Sequence, residues 1–193
     1  MRLKLAALLL LVPSMALAAD YKIDSAHSSA EFSVRHLMVS NVKGTFGNVT
    51  GSITYDPKNL PASKVEASMD VSTVNTGQPQ RDGHLKSPDF FDAAKYPTIT
   101  FKSKQFYMDG GALKVKGDLT IHGTTKEVVL NVDGLTPEVA AMGSFNIGAT
   151  ATTKINRQDF GVSWSKSLDG GGAVVADEVA ITLELAAVRP AAK

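Results

Sequence analysis

The amino-acid sequence predicts an all-β domain, folded as an antiparallel sandwich or a closed barrel, with closure favoured. Three observations carry this. Apolar and polar residues alternate with period two along most of the chain, the pattern of strands with one face in a core and one in water. Asp56-Pro57, Asp109-Gly110-Gly111, His122-Gly123, Asp133-Gly134 and Gly170-Gly171-Gly172 punctuate the alternating runs as turns. The presumed outward phase carries Glu66, Asp70, Lys114, Lys116, Asp118, Glu127 and Glu184, so one face of the sheet is wet.

Taken in order, the first strand spans 29–36, where Ala30, Phe32, Val34 and His36 share one phase. The run from Val42 to Tyr55 comes next. Its phase slips by one between Phe46 and Val49, so Gly47-Asn48 predicts a bulge or bend. Val65, Ala67, Met69 and Val71 mark the third strand. Residues 76–96 break the alternation, and Pro79, Pro88 and Pro97 bracket short pieces, which predicts one or two short helices and a loop. Asp89 is read there as an acidic cap before the Phe90-Phe91 ring pair. Strands then follow over 98–103, 113–121, 128–132, 145–151 and 179–185. Eight strands with short links fit one closed sheet, because closure removes exposed edges.

The N-terminus reads differently. Arg2 and Lys4 precede the apolar run Leu5–Val12, and Ala16-Leu17-Ala18 is a small-x-small cleavage pattern. This predicts a signal peptide over residues 1–18, a mature domain over 19–193 and a periplasmic destination. The apolar run is too short to span a bilayer, so no transmembrane segment is expected in the mature chain. Without Arg2 and Lys4 the formal charge falls from +1 to −1, which argues against a nucleic-acid partner. The chain has no Cys, so in an oxidising compartment its stability rests on packing and hydrogen bonds.

An eight-stranded barrel is either filled by its own side chains or holds one small ligand. The inward phases mix large residues (Phe32, Phe46, Met69, Phe101, Phe145) with small ones (Ala30, Ala67, Gly117, Gly143, Ala149, Ala151). That mixture favours an apolar cavity over a filled core. A membrane barrel is disfavoured, since its outer face would need apolar residues and aromatic girdles. Eight Phe, four Tyr and one Trp are too few for these, and the outward phase is charged.

No nucleophile stands out: there is no Cys and no Gly-x-Ser-x-Gly elbow. His27, His36, His84 and His122 are dispersed, with no His-x-x-x-His pair, so no metal and no cofactor is expected. Two stretches are dense in chemistry. In Gln80–Pro97, Phe90, Phe91 and Tyr96 read as a plug against a barrel end, with Arg81, Asp82, Asp89 and Asp92 pairing or capping. Head-group recognition and catalysis remain the alternatives for it. In 156–161, Arg157 either pairs with an acid, Asp159 or an Asp of the first stretch, or presents a fork to an anion. Trp164 follows in phase with Val162 and reads as core or cavity lining.

In order along the chain, Asp24-x-x-His27-Ser28-x-x-x-Phe32-x-Val34-x-His36, Gly44-x-Phe46 and Arg81-Asp82-x-His84-Leu85-x-Ser87-x-Asp89-Phe90-Phe91-Asp92 are followed by Tyr96-Pro97-x-Ile99-x-Phe101, Gly117-x-Leu119-Thr120-Ile121-His122-Gly123, Asn156-Arg157-x-Asp159-Phe160-Gly161 and Asp177-Glu178-Val179-x-Ile181. Together these resemble the YceI-like family. The resemblance implies an extended eight-stranded antiparallel lipocalin-like barrel, usually exported, that carries a polyisoprenoid or another long-chain lipid or quinone-like amphiphile with its tail inside. No catalytic residues come with it. On this reading the apolar lining is Phe32, Val34, Phe46, Met69, Phe101, Leu119, Phe145, Ile147 and Trp164. His36, Arg81, His84 and Arg157 are the polar residues near an opening. A homodimer is compatible with it. The competing readings are a lipid- or quinone-modifying enzyme using His36, His84 or Asp82, and a filled barrel acting as a stress or assembly partner.

Overall fold

The computed structural model describes residues 18–169 and 171–191, so nearly all of the predicted signal peptide lies outside the described residues. Among the described residues, eleven antiparallel strands form one sheet: β1 (Ala19–Ile23), β2 (Ser29–His36), β3 (Ser40–Phe46), β4 (Thr50–Tyr55), β5 (Lys64–Asp70), β6 (Thr98–Asp109), β7 (Ala112–Ile121), β8 (Thr124–Asp133), β9 (Val139–Ala141), β10 (Ser144–Asn156) and β11 (Val175–Pro190). One helix, α1 (Pro79–Lys86), interrupts them between β5 and β6.

The sheet closes through β10 and β11, which pair along their length from Ser144↔Pro190 to Asn156↔Glu178. The circuit β11-β1-β4-β5-β6-β7-β8-β10 is an eight-stranded barrel. β2 and β3 prolong it. β2 lies on the same edge of β11 as β1, but at the other end, with His36 opposite Val175. The slip at Gly47-Asn48 is where β3 ends and β4 begins: Asn48 takes φ 53, and Val49 turns fully inward. β1 and the three-residue β9 lie outside the sequence-predicted strands; β1 does alternate, Ala19, Tyr21 and Ile23 against Asp20 and Lys22, but for only five residues, directly after the predicted cleavage site.

Two strands run further than their alternation suggests, because bulges break the phase. β6 shifts register between Ser103 and Gln105, so Phe106 rejoins the buried face out of step with Phe101. β11 shifts between Val175 and Val179. The apolar cluster in the barrel includes Phe46, Val65, Ile99, Phe101, Phe106, Val115, Leu119, Leu130, Ala151 and Ile155. The outer wall carries ion pairs such as Lys102–Glu66, Lys104–Asp118 and Lys154–Glu178. Such a wall is costly against lipid, at about 2–4 kcal/mol per basic residue at the bilayer midplane. No helix among the described residues is long and apolar enough to cross a membrane.

Three expectations change. Residues Asp89–Asp92 form turns rather than a second helix, because Asp89 is drawn to His84 and Asp92 takes φ 46. Gly143 does not face the interior: with Met142 it forms the β9–β10 turn, at φ 76 and 51. Gly117 leaves no spare volume, since a methyl there would lie 2.5 Å from both the Phe101 ring and the Lys102 carbonyl oxygen. The ring occupies that space.

Candidate functional site

The barrel encloses an apolar cavity of about 330 Å³, within the range of small-molecule sites. A filled barrel is thereby set aside. Alternation builds the walls: Ala30, Phe32, Val34 and His36 of β2 and Ile147, Ala149, Ala151 and Ile155 of β10 all line it. So do Val179, Ile181, Leu183 and Leu185 of β11. Ala67, Ala149 and Ala151 supply the small positions that leave room.

Of the sequence-predicted lining, Phe32, Val34, Phe46, Met69, Phe101, Leu119, Ile147 and Trp164 do border the cavity. Phe145 does not. It shares the phase of Ile147 but sits one pleat further on, opposite Arg189, whose guanidinium lies 4.1 Å from its ring centroid. There Arg189 donates two hydrogen bonds of 2.8 Å to Glu138, which also accepts from the Tyr21 hydroxyl. This group sits at the far end of the barrel, beside the Ser144 end of β10. Arg189 and then Tyr21 hold the Glu138 carboxyl below its usual range. Burial, then Glu138, raises the Tyr21 phenol.

The near end is polar. His36, Arg81 and His84 all border the cavity there, with Arg81 exposed and the two His half-buried. α1 carries Arg81 and His84. Pro79 suits its first turn, and the Gln78 side chain caps it by accepting from the Arg81 N–H. Arg81 donates from Nε to the Thr76 hydroxyl and from Nη2 to the Thr76 carbonyl. Thr76 in turn donates to Asp82 from its hydroxyl and its backbone N–H. Asp82 therefore orients Arg81 through Thr76 and does not converge with His84. His84 pairs with Asp89 at 2.8 Å, and its ring meets Phe90 and Trp164 edge-on at 4.9 and 5.2 Å. Phe91 packs edge-on against Phe46, and Tyr96 against His122. The aromatic plug read from the sequence is thus present, with the exposed edges of Arg81 and His84 beside the opening.

Arg157 has a different job from the anion fork. It is 5% exposed and donates to the carbonyls of Val162, Trp164, Ala176 and Val175, and to Asp177. Neither Asp159 nor the Asp residues of 80–97 partner it. Burial pulls its pKa down from the ordinary arginine value, and Asp177 opposes that. It ties the Val162–Trp164 segment to β11 and so holds Trp164 at the rim. Sequence reasoning missed Phe106, Phe160 and Leu135 among the lining residues. The bulge hid Phe106. Phe160 lies in the 3₁₀ turn Arg157–Phe160, where no period-two signal exists. No group of three or more His, Asp or Glu that would hold a metal ion occurs among the described residues.

A closed antiparallel barrel with an apolar interior and an aromatic-lined mouth defines the class: a lipocalin-like β-barrel built around a cavity. The chain belongs to the YceI-like family, whose domain model matches residues 21–187. A UPF0312 protein of Vibrio cholerae is 42% identical over 154 residues, covering 78% of this chain and 82% of that protein. The crystal structure of the Campylobacter jejuni YCEI protein superposes with a TM-score of 0.68 at 31% identity, over 81% of this chain and 90% of that one. A polyisoprenoid-binding domain from Saccharophagus degradans shares the fold, with a TM-score of 0.63 at 18% identity over 88% and 98% of the chains.

Proposed function

We propose that this protein is a periplasmic carrier that holds a polyisoprenoid, or a similar long-chain amphiphile, with its tail in the barrel and its head at the Arg81–His84 rim. The observation that carries the reading is an almost wholly apolar cavity with His36, Arg81 and His84 bordering it at the mouth. Membership of the YceI-like family and the fold shared with a polyisoprenoid-binding domain support it.

Dimensions favour a long tail. β10 has 13 residues, or about 43 Å of strand, and a tilt of about 40° leaves a rise of roughly 33 Å along the barrel axis. An extended carbon chain advances about 1.2 Å per bond, as the protein backbone does. Only Ile147–Ile155 of that strand lines the cavity, roughly 23 Å along the axis, which about five isoprene units, or about 25 carbons, would span. Burial contributes roughly 0.8 kcal/mol per CH₂, but realised efficiency for large ligands falls toward about −0.3 kcal/mol per heavy atom. For about 25 carbons that is about −7.5 kcal/mol, a micromolar affinity, so tighter binding draws on the head group at the rim. The lining residues Phe32, Val34, Phe46, Met69, Phe101, Leu119, Ile147 and Trp164 would solvate the tail.

The test is gentle purification from the periplasm, organic extraction and mass spectrometry. The expected result is close to one long-chain lipid per protein. Protein that emerges empty and takes up no prenyl lipid from micelles overturns the proposal.

A further inference from the structure

The β2–β3 hairpin ends in Leu37, Met38 and Val39, which are 40%, 57% and 73% exposed. Leu37 and Met38 are the two central residues of a tight turn, with φ of 51° and 60°. Such turns favour Asn-Gly, because a side chain is disfavoured at positive φ. The fold therefore gains nothing from apolar residues here: they are exposed, and they sit in a backbone conformation that suits them badly. Strain of this kind points to function at the site.

The tip is continuous with the cavity mouth. His36, just before it, lines the cavity. The Leu37 N–H donates to the carbonyl of Val174, another lining residue. A methyl placed on Gly172 would lie 3.6 Å from Met38 Cγ and 3.9 Å from Leu168 Cδ1. Met38 and Leu168, from separate segments, thus flank one glycine and form a shared apolar ridge. The charges beside it are mostly basic. Segments 33–43 and 165–175 hold Arg35, Lys43 and Lys166 against the single acid Asp169. Arg35 is held under the turn by its hydrogen bond to the Met38 carbonyl.

We infer that this ridge docks the barrel on an anionic phospholipid bilayer. Leu37, Met38, Val39 and Leu168 enter the interfacial layer, the three cations meet the head groups, and the cavity mouth faces the lipid. The arrangement is that of an interfacial anchor, apolar side chains with flanking positive charge. It deepens the carrier reading, on which it rests, by naming where the lipid is exchanged.

The test is co-sedimentation of the mature protein with vesicles of phosphatidylcholine containing about one-third phosphatidylglycerol, and with vesicles of phosphatidylcholine alone. The variant is Leu37→Asn with Met38→Gly, which removes two anchors while supplying the residues this turn prefers. Its thermal midpoint should equal or exceed the parent's, so a folding defect does not confuse the result. Binding to the anionic vesicles should fall by at least about tenfold, since each buried apolar side chain is worth that much or more. Neutral vesicles should bind the parent more weakly than anionic ones. Met142→Asn, which removes a fully exposed Met at the opposite end of the barrel, should bind like the parent. Parent protein that ignores anionic vesicles, or a double variant that binds them equally, overturns the inference. So does a dimer of the parent that the double variant dissociates, which would assign the ridge to a second copy of this chain. Extractable lipid is measured in parallel: vesicle binding by protein that carries no lipid would refute the carrier reading and leave the docking surface standing.

Discussion

Ala149 lies in the wall of the cavity, opposite Leu185. Ala149→Trp therefore adds bulk where lipid would sit. The expected outcome is a denaturation midpoint close to that of the lipid-free parent and a severalfold loss of lipid per chain by mass spectrometry. A packed interior would instead lose about 1–3 kcal/mol from overpacking. Thr152→Trp, on the exposed face of the same strand, should change neither. Arg157 gives the opposite prediction. Arg157→Met fills similar space but leaves the Val162 and Trp164 carbonyls without their donor, while Asp177 keeps its hydrogen bond from Gln158. Each unsatisfied buried group costs about 1–3 kcal/mol, so a loss of roughly 3–5 kcal/mol is expected in urea unfolding. Fluorescence of the only Trp should shift as the rim segment loosens.

Between elements, two backbones approach closely at the start of β4. Gly51 has φ 143, and a methyl on it would lie 2.0 Å from the Glu66 carbonyl oxygen on β5. That oxygen belongs to the sheet backbone and cannot swing aside. Gly51→Ala should part the β4–β5 ladder locally, which hydrogen exchange of the Thr50–Ile53 amides would show as lost protection. At the far end, Glu138 joins β1 to β11 through Tyr21 and Arg189. Its folded pKa is depressed, so the stability it adds is fully present above its ordinary value near 4.5 and is lost as the pH falls through the folded value. Midpoints of the parent and Glu138→Gln should differ at neutral pH and converge in acid. A constant difference down to low pH would show that the carboxylate charge is not what matters.

At the scale of the molecule, the predicted export signal sets the compartment in which a lipid carrier would work. The intact mass of protein recovered from the periplasm should correspond to a chain starting at Ala19. A product that retains residues 1–18 would contradict the exported reading. The barrel that follows begins at once, since β1 starts at Ala19 and pairs with β4 and β11. Its closure pairs β10 with β11 along the whole of β10, and the charged pairs of its outer wall face away from the cavity. The wall thus suits water, while the interior suits a hydrocarbon tail.

Much of this was legible in the sequence. A period of two marks which side chains face inward, so the strands, the all-β class and most of the lining followed from Phe32, Val34, Leu119, Ile147 and their neighbours. The slip at Gly47-Asn48 marked a bulge or bend in one run, which the structure resolves into two strands, β3 and β4. What the alternation does not encode is where a wall ends. Phe145 has the right phase but lies beyond the cavity, under Arg189. Gly117 has the right size, but the Phe101 ring fills its place across a bulge. Arg157 has the right chemistry for an anion, yet four carbonyls and Asp177 take its hydrogens. Such outcomes depend on contacts between residues far apart in the chain: a periodic pattern records which face a residue is on, whereas closure of β10 on β11 decides what that face meets.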